Sequence, residues 1–119
     1  MTQNHRTLQS ATDYRACVDP LHRNVWPVRI GDDETVIGYL TEHITVTLDL
    51  PEPPVTRWTW KFDDAEADAL RVDEDLRASR ASYRSWSGAL NVFTTMHQLA
   101  VASREVEWNA AAERVGKGE

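Results

Sequence analysis

The chain has a single cysteine, Cys17, in 119 residues, which excludes an intrachain disulfide framework and any cysteine-built zinc site. Only two of its thirteen basic residues are lysines, and they face nineteen carboxylates. The formal charge of −6 disfavours direct nucleic-acid binding, which needs a cationic surface to displace counterions from phosphate. The five glycines form neither a Gly-x-x-x-x-Gly-Lys nor a Gly-x-Gly-x-x-Gly phosphate loop. The Gly-x-Ser-x-Gly elbow and the His-Glu-x-x-His pair are absent as well. No apolar run approaches the ~18 residues of a membrane span. The polar opening MTQNHRTLQS lacks the apolar core of a signal peptide, so the expected location is the cytoplasm. These absences lead us to expect no catalytic residue, no metal and no cofactor.

What is present suits one globular domain over residues 1–119, with 41% hydrophobic residues and five tryptophans to build a core. Leu8, Ala11, Tyr14 and Val18 recur at helical spacing, Thr7 can cap the start and Pro20 can stop it. That predicts an N-terminal helix over about 7–18. The period then changes to two. Trp26, Val28 and Ile30 alternate across 25–30, where Pro27 points to an edge strand or one with a free side. Residues 31–34, GDDE, form a turn signal, followed by a strand over about 35–41 with Gly38 marking a bulge or a close approach. Ile44, Val46, Leu48 and Leu50 alternate across 43–50, which predicts a strand with one buried face. The PEPP stretch breaks the chain, and VTRWTWKF at 55–62 completes a four-stranded antiparallel meander.

In VTRWTWKF, strand periodicity sends Trp58, Trp60 and Phe62 to one face and Arg57 and Lys61 to the other. A ligand-stacking platform would need aromatic and cationic groups serving one exposed face. The alternation instead predicts a buried aromatic row, covered by a helical stripe that includes Leu76, Tyr83, Trp86, Leu90 and Phe93.

Helical character is expected from about 64 to 114, as one long helix or as two consecutive helices breaking near Gly88. Asp63 and Glu66 fit a capping box at its start. A second apolar line, Val92, Met96, Leu99, Val106 and Ala110, runs along its later part. The expected class is therefore α+β, with a short N-terminal helix, a four-stranded sheet and C-terminal helical structure across one sheet face.

Candidate chemistry is sparse. The four histidines, His5, His22, His43 and His97, show no i,i+2 or i,i+4 chelating pair. His97 on the apolar stripe reads as a packed, hydrogen-bonded core histidine, and Cys17 as a small hydrophobe with no nearby base. The charge pattern is more distinctive. Asp63, Asp64, Glu66, Asp68, Asp73, Glu74 and Asp75 fall within thirteen residues, whereas 76–104 contains four arginines and no carboxylate. The plain reading is a solvated face with ordinary ion pairs. The functional reading joins these seven with Asp32, Asp33 and Glu34 as a surface for a basic protein partner, including one whose basic surface binds nucleic acid. This predicts a small acidic non-catalytic binding module, an inhibitor or adaptor comparable to phage-encoded or immunity-type inhibitors in size and charge only. Two alternatives stay open. One is a homo-oligomeric assembly component pairing through the helical stripe. The other is a small enzyme or ligand pocket between sheet and helix using His97, His43, Tyr83 or Glu42.

Overall fold

A computed structural model describes residues 7–9, 13–17, 24–46, 48 and 53–117. Five strands, β1 (Thr7–Gln9), β2 (Tyr14–Cys17), β3 (Val25–Ile30), β4 (Gly38–Thr45) and β5 (Val55–Phe62), form one antiparallel sheet in sequence order. Two helices follow, the short α1 (Asp64–Ala69) and the long α2 (Trp86–Lys117), with a single 3-10 turn at Glu74–Leu76 between them. The class is α+β, a meander with a long C-terminal helix packed across one face.

The N-terminal helix is not formed, because β1 and β2 occupy its place and pair Thr7 with Cys17 and Leu8 with Ala16. Tyr14 and Ala16 point inward while Arg15 and Cys17 point out, a period of two that the chance helical spacing of Leu8, Ala11, Tyr14 and Val18 disguises. What decides the conformation is the free edge of β3, whose backbone groups pair Ile30 with Tyr14 and Val28 with Ala16. Pro27 therefore lies in an interior strand. The described pairing to β2 stops at Val28, one residue short of the missing N–H.

The predicted strands at 35–41 and 43–50 are one strand, β4, whose inward side passes through Gly38 and Leu40. Ile44, Val46 and Leu48 are exposed, Leu48 at 92% of its surface, so the expected buried face of 43–50 does not exist. They extend past the end of the helical cover. Leu50 lies outside the described residues.

β5 spans its expected residues. Trp58, Trp60 and Phe62 are buried, and Lys61 is exposed on the opposite face with its Nζ 5.3 Å from the Tyr39 ring centroid. The cover is α2 itself. Phe93 packs 5.1 Å from the Phe62 ring and 6.0 Å from Trp60, beside the fully buried Ala89 and Leu90. Gly38 makes this approach possible, since a Cβ there would strike the Phe93 ring and lie 2.6 Å from the Lys61 carbonyl oxygen. Leu76 is exposed and takes no part in the cover.

The helical region breaks well before Gly88. α1 ends at Leu70, and Arg71 adopts a left-handed conformation (φ 56°) that stops the helix. Residues 77–83 then run beside β5. Phe62 N–H donates to the Arg77 carbonyl, Ser79 N–H to that of Trp60, and Trp58 and Tyr83 exchange both hydrogen bonds at 2.8 Å. An unpaired sheet edge wins over the helical stripe, because each of its backbone groups would otherwise lose a partner. Gly88 belongs to the first turn of α2, where its N–H donates to Ser85 Oγ at 3.1 Å.

Candidate functional site

The ten acidic residues singled out from the sequence divide into committed and free groups. Asp63 caps α1, its Oδ2 accepting from the Ala65 and Glu66 N–H groups, and its Oδ1 accepts from the Tyr39 hydroxyl at 3.2 Å. Asp68 pairs with Arg77 at 2.8 Å and Asp75 with Arg80 at 3.2 Å. Asp33 accepts from the Thr35 N–H, which holds its carboxyl below the usual range. Asp32, Glu34, Asp64, Asp73 and Glu74 are exposed and bind no described side chain.

The fold brings two of the acidic stretches together. The loop holding Asp32, Asp33 and Glu34 leads to Ile37, whose carbonyl accepts from the Asp63 N–H at 2.9 Å. Both stretches thus sit at one end of the sheet. Tyr39 registers only the second of them: burial first, then its hydrogen bond to Asp63 and the charges of Asp63 and Asp64, raise its hydroxyl above the ordinary value against the opposing Arg29. Asp73, Glu74 and Asp75 lie further along the chain, around the 3-10 turn. Cations border this end as well, with Arg29 bonded to the Glu34 carbonyl and Lys61 over the Tyr39 ring. Arg15, Arg29, Arg57 and Lys61 project from the outer face of the sheet, and no carboxylate stands on that face within β2–β5.

Glu66 has a different role from the surface one expected. It turns inward, and its Oε2 lies 2.7 Å from His97 Nε2, so it does not complete the capping box. The other imidazole nitrogen, Nδ1, is 2.7 Å from the Tyr14 hydroxyl. His97 is 2% exposed and stacks on Phe62. A neutral imidazole satisfies both contacts, with the Tyr14 O–H donating to Nδ1 and Nε2–H donating to Glu66. Hydroxyl, imidazole and carboxylate in that order resemble the wiring of a nucleophilic triad. Here the hydroxyl is buried, and desolvation, then the Glu66 charge, raise the Tyr14 phenol above its ordinary value, the wrong direction for a nucleophile. The physical effect is a brace joining β2, α1 and α2. The sequence showed His97 as a core histidine but not its partners, which lie 83 and 31 residues away in the chain.

The other residues weighed for a pocket do not meet. His43 hydrogen-bonds Thr59 at 2.9 Å on the outer face, opposite to the face that packs His97. Glu42 is paired with Trp58 across β4 and β5, and Tyr83 sits at the edge of β5. No group of three metal-ligating side chains occurs among the described residues. A groove of about 370 Å³ lies instead between α2 and residues 70–76, with apolar walls from Phe62, Leu76, Met96 and Leu99. Arg71, Asp73 and Glu107 are among its polar lining.

The molecule is thus a meander sheet braced to one long helix, with an acidic end, a cationic outer sheet face and a groove of mixed polar and apolar lining beside the helix. No protein-family model, curated protein or solved structure matches it.

Proposed function

We propose that this protein is a small acidic protein-binding module, an inhibitor or adaptor that works by occupying a basic surface of its partner. The observation that carries the reading is the meeting of residues 32–34 with Asp63 and Asp64 at one end of the sheet, through the Ile37–Asp63 hydrogen bond. Charges from two distant stretches add their fields there, offset in part by the nearby cation Arg29, which is tied to the same loop through its Nε–H and the Glu34 carbonyl. Such a concentration of one sign steers association with an oppositely charged surface and sets its orientation. The free carboxylates Asp32, Glu34 and Asp64 carry the interaction. Asp63 and Glu66 hold the fold that presents them.

The test is a triple reversal, Asp32→Lys, Glu34→Lys and Asp64→Lys, assayed against the partner recovered by affinity purification from the native host. The dissociation constant should rise roughly tenfold or more at low ionic strength, and the gap should narrow by about 0.5 M salt as the charges are screened. Affinity unchanged at low salt, with the fold intact by circular dichroism, would remove the charge-driven reading.

A further inference from the structure

The groove between α2 and residues 70–76 encloses about 370 Å³, within the ~300–1,000 Å³ of sites that take small molecules. Its lining is divided by chemistry. Met96, packed against the core, and Leu76 and Leu99, 43% and 60% exposed, supply apolar surface. Arg71 and Asp73 supply one charge of each sign. They stand two residues apart in the chain, yet neither pairs with the other or with any described side chain. Glu107, also in the lining, is engaged by Arg104 at 3.6 Å, so Asp73 is the carboxylate left without a cation. Arg71 has a second peculiarity. Its φ of 56° is the left-handed conformation that ends a helix, which glycine adopts freely and a Cβ opposes. No described contact of its guanidinium offsets that strain, and strained residues of this kind gather at binding sites.

We infer that this groove binds a free α-amino acid with a large apolar side chain. The ligand's carboxylate pairs with Arg71, its ammonium with Asp73, and its side chain lies against Met96, Leu76 and Leu99. Three features select this class of ligand. The first is charge. A ligand of single charge meets one of the two protein groups and takes water from the other without replacing it, which costs more than a lost bond. A zwitterion meets both, and guanidinium with carboxylate is the pairing that fixes orientation through two parallel hydrogen bonds. The second is spacing. Two residues of chain span at most ~7 Å, so the two protein charges leave from neighbouring points of one wall. That suits a ligand whose ammonium and carboxylate share a single carbon. The third is the opposite wall. Leu99 and Met96 of α2, with the exposed Leu76, form an apolar bed that a side chain removes from water, and the volume has room for one residue rather than a peptide. The site shares no residue with Asp32, Glu34 and Asp64, so it stands apart from the protein-binding surface proposed above.

Amide NMR titration of the full chain tests it, with leucine, methionine and phenylalanine as probes. At least one should shift the signals of residues 70–76 and 96–103 with a dissociation constant of about 1 mM or tighter. For leucine, three analogues each lack one feature: isoamylamine the carboxylate, isocaproate the ammonium and glycine the side chain. Each should bind roughly tenfold or more weakly than leucine. Arg71→Gly separates binding from folding. It relieves the left-handed residue, so the urea midpoint should hold or rise, while leucine affinity falls roughly tenfold or more. Isoamylamine, which has nothing for Arg71 to hold, should bind this variant as well as it binds the wild type. Asp73→Asn should weaken leucine to a similar extent and leave isocaproate unaffected. No shift in the groove with any of the three amino acids at about 20 mM overturns the inference. So do single-charge analogues that bind as tightly as leucine, or an Arg71→Gly chain that keeps wild-type affinity.

Discussion

The two halves of α2 share one backbone and have opposite surroundings. Between Trp86 and His97 the helix places Ala89, Leu90, Phe93 and His97 on the sheet, all nearly or fully removed from water, with Thr94 buried beside them. From Leu99 onward the cover thins: Ala100 still packs against the core, but Leu99 is 60% and Val106 67% exposed. Helix propensity favours the second half, with five alanines between Leu99 and Lys117 against the single Ala89 between Trp86 and His97, so propensity does not account for the packing of the first. The first half is fixed by burial against aromatic rings. The second is held by its own hydrogen bonds, and an isolated helix of such length is marginal in water. A continuous helix therefore says nothing about continuous packing.

The sharpest way to probe that contrast is to truncate one side chain in each half. Phe93→Ala removes a ring that touches Trp60 and Phe62 and should cost about 3–5 kcal/mol in urea unfolding. Leu99→Ala, at a side chain 60% exposed, should cost less than about 0.5 kcal/mol. Equal losses would mean the C-terminal half has a cover within the same chain.

A smaller effect tests the brace that ends the buried half. Tyr14→Phe leaves His97 Nδ1 without its hydroxyl partner and should cost about 1–3 kcal/mol near neutral pH. The pH dependence has a defined sign. Tyr14 and Tyr39 have hydroxyl pKa values raised above 10.0 in the folded protein, so their contribution is complete below pH 10 and fades as the pH climbs through the folded-state values. Part of the alkaline loss in a series of urea curves between about pH 8 and 11 should disappear in Tyr14→Phe, because that range spans the phenol titration. The smallest change belongs to the surface. Arg80→Ala breaks an ion pair with Asp75 whose side chains are 77% and 64% exposed, and should shift stability by no more than about 0.5 kcal/mol.

The legible parts of the fold were those where pattern and burial agree within one element. β3 and β5 could be read residue for residue, and the inward row of Trp58, Trp60 and Phe62 followed from alternation alone. β2 was illegible because it contributes only Tyr14 and Ala16 to the core, too few positions to display a period of two. Residues 77–83 were misread for a related reason. Leu76, Tyr83 and Trp86 keep helical phase with Leu90 and Phe93, yet the backbone between them serves the open edge of β5. In the acidic run, local sequence showed Asp63 as a cap but could not tell a free carboxylate from one bound to a distant group. Glu66 was placed with the surface for that reason, although His97 draws it inward.

By itself, the sequence determined the class of the fold, the sidedness of β5, the start of α1 and the existence of an acidic stretch. Each of these depends on neighbours a few residues apart, where side-chain direction follows from backbone period. Tertiary structure alone decided that the N-terminus would be strand, where the long helix would begin, and which carboxylates would remain free. It also decided that Asp32 to Glu34 would stand beside Asp63 and Asp64. Those outcomes depend on unsatisfied edges and buried polar atoms whose partners lie far away in the chain, and a linear pattern has no term for them.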